Sequence, residues 1–123
     1  MSRQEEIRRL YAAFNRRDID SVLESLAENV VWANGWEGGH VRGRAAVRDY
    51  WSRQFAAIRP RVKPEEITLA DDGRVAVLVH QVVWSTAGEL LADQRVTHLY
   101  RFEDDKIVRF DIDMLPSSPP SKR

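Results

Sequence analysis

Apolar residues recur at helical spacing three times along the chain before the period changes. Ser2-Arg3-Gln4-Glu5 has the form of a capping box, and Ile7, Leu10, Tyr11 and Phe14 follow on one face, which predicts a first helix from about Arg3 to Asn15. Asp18 is placed to cap a second helix carrying Ile19, Val22, Leu23 and Leu26 and fading at Glu28-Asn29. Val30-Val31-Trp32 has the β-branched and aromatic character of a short strand. Four of the six glycines then fall between Gly35 and Gly43, where irregular backbone is expected. A third helix begins at Gly43-Arg44, carries Val47, Trp51, Phe55 and Ile58 on one stripe and is stopped by Pro60.

After Pro64 the period moves towards two. Glu65 to Ala70 and Arg74 to Trp84 read as strands joined through the turn Asp71-Asp72-Gly73. Thr86-Ala87-Gly88 makes the next reversal, into a strand from about Leu91 to Phe102, and Asp104-Asp105 makes another before Lys106 to Asp113. Three helices followed by hairpin-joined strands give an α+β class, with the helices packed on one face of a highly curved, mostly antiparallel sheet.

A length of 123 residues suits one domain, drawn over residues 1–115, and the Pro-rich tail Pro116 to Arg123 offers no apolar face and is expected to be disordered. Lys plus Arg and Asp plus Glu both number 19, so no net basic field exists to collect nucleic acid or an anionic membrane. Zero cysteines exclude a disulfide scaffold, a thiol nucleophile and thiolate zinc sites. The longest apolar run, Val75 to Val79, is far short of the ~20 residues that span a bilayer, and Met1 to Leu10 is charged where a signal peptide would be apolar. A cytoplasmic protein is the simplest expectation.

Candidate chemistry comes from the last hairpin. With Asp104 and Asp105 as the two central residues of a tight turn, Phe102 faces Ile107, Tyr100 faces Arg109 and His98 faces Asp111. An imidazole beside a carboxylate keeps a defined proton inventory near neutral pH, as a general acid or base requires, and the same pair also serves as a plain structural bridge. This register puts Leu99, Val108, Phe110 and Ile112 on the opposite face, an apolar surface that predicts a homodimer. Trp32, Asn34, Trp36 and His40 precede the third helix, and Trp51 and Phe55 lie on it. Such an aromatic cluster makes either a core or a pocket wall, and the amide of Asn34 among tryptophans needs hydrogen-bonding partners. His80 sits inside an otherwise apolar strand. His80, His98 and Asp111 would together be two histidines and a carboxylate of the kind that holds iron, but no spacing requires it, and neither metal nor cofactor is expected.

The strings Arg9-Leu-Tyr-Ala-Ala-Phe-Asn-Arg-Arg-Asp18, Val30-Val31-Trp32, Val41-Arg-Gly-Arg-Ala-Ala-Val-Arg-Asp-Tyr-Trp51 and Tyr100-Arg-Phe-Glu-Asp-Asp-Lys-Ile-Val-Arg-Phe-Asp111 resemble a SnoaL-like member of the nuclear-transport-factor-2-like superfamily. The resemblance extends nearly to Leu115. It implies a cone-shaped α+β barrel with an internal apolar pocket and, often, a dimer interface on the outer sheet face. His98 and Asp111 resemble the acid/base pair of SnoaL-like polyketide cyclases. Trp32-Ala33-Asn34 and Asp111 resemble the water-holding residues of limonene epoxide hydrolase, although His80 and Val82 replace the Arg-x-Asp pair that completes its triad. Leu10, Asn34 and His98 stand where ketosteroid isomerase has its tyrosine, its base and its second oxyanion-hole acid, so that constellation is absent.

These observations lead to a homodimeric, small-molecule-binding protein that acts as an acid/base cyclase, isomerase or hydrolase on a largely apolar organic substrate. Asp111 is the expected general acid/base or water holder, tuned by His98. Asn34 and His80 supply polar contacts, and Trp32, Trp51, Phe55, Trp84 and Tyr100 form the walls. The alternative is a non-catalytic ligand-binding or assembly domain of the same fold.

Overall fold

Ser2 accepts the backbone N–H of Glu5, and the Glu5 side chain reaches back to Ser2, so the predicted capping box closes the start of α1, Arg3–Asn15. The computed structural model describes residues 2–113; the tail, Pro116 to Arg123, lies outside the described residues. After α1 come α2 (Ile19–Glu24), β1 (Leu26–Ala33), β2 (His40–Arg42), α3 (Arg44–Ala57), β3 (Ile58–Leu69), β4 (Val75–Ser85), β5 (Leu90–Glu103) and β6 (Lys106–Asp113). The strands form one six-stranded sheet in the order β2-β1-β6-β5-β4-β3, antiparallel except where β1 runs parallel to β6.

Two boundaries differ from the sequence reading. The second helix stops at Glu24, because the Ser25 carbonyl accepts the N–H of Ile107 and Leu26 is already paired with Ile107 and fully buried. Pro60 does not mark a loop: the chain passes from Ala57 directly into β3, which contains both Pro60 and Pro64. A strand tolerates them there because β3 is an edge that bonds only β4, and its register shifts beside Pro64. The free side of this edge is fastened to α1, since the Asn15 amide donates to the Val62 carbonyl (2.7 Å) and its oxygen accepts the Val62 N–H (2.9 Å). Replacing Asn15 with Ala leaves two backbone groups without these partners and is expected to lower stability by about 1–2 kcal/mol, read from urea denaturation.

The last hairpin corrects the register on which the His98–Asp111 pair was built. Asp104 and Asp105 do form the tight turn, both with positive φ (50° and 67°), and Glu103 pairs with Lys106 and Phe102 with Ile107. The next pair, however, is Arg101 with Arg109, so Val108 is an extra residue and β6 bulges there. Beyond the bulge Tyr100 faces Phe110, His98 faces Ile112, and Asp111 faces Leu99. His98 and Asp111 therefore project from opposite faces of the sheet.

The same shift removes the apolar face proposed for dimerisation. Phe110 and Ile112 turn inward, where Phe110 is buried and Ile112 packs on the core, while Arg109 and Asp111 turn outward with Leu99. The core lies between the helices and the inward row of the sheet. Trp32 is its hub, stacked on Phe110 at 4.1 Å and edge-on to Trp51 at 5.2 Å. Gly35 completes this packing, because a Cβ at its position would stand 2.7 Å from the Ile112 side chain.

Candidate functional site

The helices do not fill the concave side of the sheet. A cavity of about 660 Å³ remains between α1, α3 and strands β3 to β6, within the range of small-molecule sites. Its walls are mainly apolar and aromatic, with Phe14, Trp32, Trp51, Val83, Tyr100 and Phe110 among them. Exposed Trp36, His40, Leu91 and Gln94 also line it and so mark its mouth.

The principal polar group inside is a chain of three side chains from α1 and β5. The Tyr100 hydroxyl donates to the Tyr11 hydroxyl (2.8 Å), and the Tyr11 oxygen lies 2.6 Å from Nδ1 of His98. Because Tyr11 accepts from Tyr100, its own hydrogen is directed at His98, so Nδ1 is the acceptor and the hydrogen of the neutral ring sits on Nε2. All three residues are buried and line the cavity. No described residue bonds Nε2, and no buried side-chain nitrogen or oxygen among the described residues lacks both a partner and access to the cavity or solvent. Burial pushes the His98 pKa down to about 3 and raises both phenols well above their usual range. The ring is thus neutral at physiological pH, a hydrogen-bond donor rather than a cation.

Asp111 belongs to a different group, at the edge of the cavity. His40 donates from Nε2 to its Oδ1 (2.9 Å), and Arg109 grips both its oxygens (2.8 and 3.2 Å). Partial burial raises the Asp111 pKa, but the hydrogen bonds from Arg109 and His40 outweigh it and the net shift is downward. Asn34 lines the cavity with its side chain already committed: Oδ1 accepts the N–H groups of Trp36 and Glu37, and Nδ2 donates to Glu37 (2.9 Å). Glu37 in turn takes a 2.6 Å bond from Arg53 on α3, so this residue anchors the mouth loop.

Of the residues expected in the site, Trp32, Asn34, Trp51, His98, Tyr100 and Asp111 line the cavity, and His80, Phe55 and Trp84 do not. His80 and Trp84 fall on the outward row of β4, since Val75, Val77, Val79 and Val83 of the same strand are buried inward. His80 there donates to Asp93 (2.6 Å). Phe55 packs behind Phe14, at 5.1 Å, with the Arg17 guanidinium over its ring. The conceivable iron set is dispersed, because His80, His98 and Asp111 each have different partners. Among the described residues no cluster of His, Asp or Glu is arranged to hold a metal. Nor is any described helix long and apolar enough to cross a membrane. Tyr11 was read only as an apolar helix position; its signal was a phenol on a buried stripe, whose hydroxyl must find a partner.

A curved, mostly antiparallel sheet of this topology, wrapped on three helices around an apolar cavity, defines an α+β cone-like architecture. The chain belongs to the SnoaL-like domain family, whose model matches residues 7–110. No functionally curated protein matches the sequence. Among solved structures it is similar to a nuclear-transport-factor-2-like protein of unknown function from Burkholderia pseudomallei, with 29% identity over 93% of this chain and 92% of that one and a TM-score of 0.80. It is also similar to TerC, co-crystallised with polyporic acid (25% identity, 85% of each chain, TM-score 0.74). A candidate polyketide cyclase from Xanthomonas campestris shares 27% identity over 85% of this chain and 83% of that one, with a TM-score of 0.70.

Proposed function

We propose that the protein binds a small, largely apolar organic molecule in the cavity and holds an oxygen of that molecule on the Nε2–H of His98. The supporting observation is the Tyr100–Tyr11–His98 chain, which sets the imidazole as a neutral donor amid aromatic walls. Trp32, Trp51 and Tyr100 supply the surface against which a flat molecule packs. A donor aimed at a bound carbonyl stabilises negative charge developing on its oxygen, which suits cyclisation or isomerisation through an enolate-like state. Asp111 then serves at the mouth, as a carboxylate held by His40 and Arg109, and not as a partner of His98.

Calorimetric titration with 4-hydroxybiphenyl tests the binding reading. His98→Asn preserves an acceptor for Tyr11 but removes the Nε2 donor, and should weaken binding about three- to tenfold with the fold intact. Tyr11→Phe frees the ring orientation and should weaken it by a similar factor. A wild-type protein that takes up none of this probe, or a His98→Asn variant that binds it equally well, would refute the assignment. The expected homodimer uses the outer row Leu78, Val82, Trp84 and Leu99, which is half-buried in the single chain. Light scattering at micromolar concentration decides between monomer and dimer.

A further inference from the structure

The inward row of β4 runs Val75, Val77, Val79, Gln81, Val83, and a single amide interrupts the valines. Directly across the ladder, Gln81 is paired with Gln94 of β5, and both glutamines line the cavity. Neither side-chain amide bonds another described residue. Gln94 shares its face of β5 with Val96, His98 and Tyr100, since the β4–β5 register runs unbroken from Ala92 to Tyr100. Four residues of strand separate Gln94 from His98, which is about 13 Å at ~3.3 Å per residue. The cavity thus has a hydrogen-bonding group towards each end and apolar walls between them. The ionisable residues at its rim, His40 and Asp111, already bond one another.

From this spacing we infer that the Gln81–Gln94 pair is a specificity element, which selects uncharged, elongated aromatic molecules bearing a hydroxyl or carbonyl oxygen at both ends. The inference rests on the binding reading above and names the ligand class for the same cavity. One end of such a molecule accepts from His98, and the other exchanges hydrogen bonds with the paired amides, which both donate and accept and so suit a hydroxyl or a carbonyl. A carboxylate at that end meets no lysine or arginine among the cavity-lining residues.

The test compares 4,4′-dihydroxybiphenyl with 4-hydroxybiphenyl by calorimetry, on wild type and on the variants Gln81→Val and Gln94→Ala. Gln94 is exposed, so its truncation leaves the core untouched even if Gln81→Val folds poorly. Wild type should prefer the two-ended probe by about three- to tenfold, the contribution of one or two neutral hydrogen bonds. Each glutamine variant should reduce that preference while leaving affinity for the one-ended probe unchanged. His98→Asn should weaken both probes and keep the preference. Equal affinities in wild type, or a preference that survives both glutamine substitutions, would overturn the inference and leave the binding reading standing. If wild type bound neither probe, the binding reading itself would fall.

Discussion

Acidification is expected to destabilise the wild-type protein more steeply than its His98→Asn variant, by about 2 kcal/mol of additional loss between pH 6.5 and pH 5. The folded-state pKa of His98 is held near 3, whereas the unfolded chain has an imidazole of ordinary pKa near 6.5. About one pH unit or more above 6.5 the ring is essentially neutral in both states and contributes almost no pH dependence. Between those two values the unfolded chain takes up a proton that the native ring refuses, so stability falls with pH at up to about 1.4 kcal/mol per unit. Urea denaturation of both proteins at pH 7, 6 and 5 isolates this contribution, because the carboxylates titrate alike in each. Parallel pH profiles would mean that His98 is not held neutral by burial.

The second large effect is at Trp32. Truncation to Ala removes the ring that stacks on Phe110 and meets Trp51 edge-on, and it enlarges a cavity that is already open, so the neighbours cannot collapse onto the space. We expect a loss of about 3–5 kcal/mol, as for other buried Trp→Ala changes. Trp84→Ala, on the half-buried outer row, should cost clearly less. Comparable losses at the two positions would contradict the inward and outward assignment of these rings.

The sequence reading was most successful where local chemistry decides the structure. The Ser2–Glu5 capping box, the Asp18 cap and the Asp104-Asp105 turn depend on residues a few positions apart, and all three form. The parallel pairing of β1 with β6 ends α2 early, and no local signal announces a contact so distant in sequence. At the last strand the turn was read correctly and the faces beyond it were not, because one extra residue at Val108 exchanges them. A physical argument was nevertheless available. Without a bulge the inward row would be Ile107, Arg109 and Asp111, which places two charges against the core; with it the row is Ile107, Phe110 and Ile112. Desolvating a charge costs several kcal/mol, far more than a locally disrupted ladder, so the bulged register was the better choice. For the site, Trp32, Trp51, Tyr100 and His98 were legible as cavity candidates from their types and spacing. The partner of His98 was not, since Tyr11 lies on a helix and sheet pairing rules do not reach it.

The hydroxyls of Tyr100 and Tyr11 and the imidazole of His98 are aligned head to tail, so their bond dipoles add instead of cancelling, and each link polarises the next. The aligned chain presents its positive end at Nε2–H, inside a low-dielectric enclosure that weakly screens it. The floor of the cavity therefore carries a directed electric field without carrying a net charge.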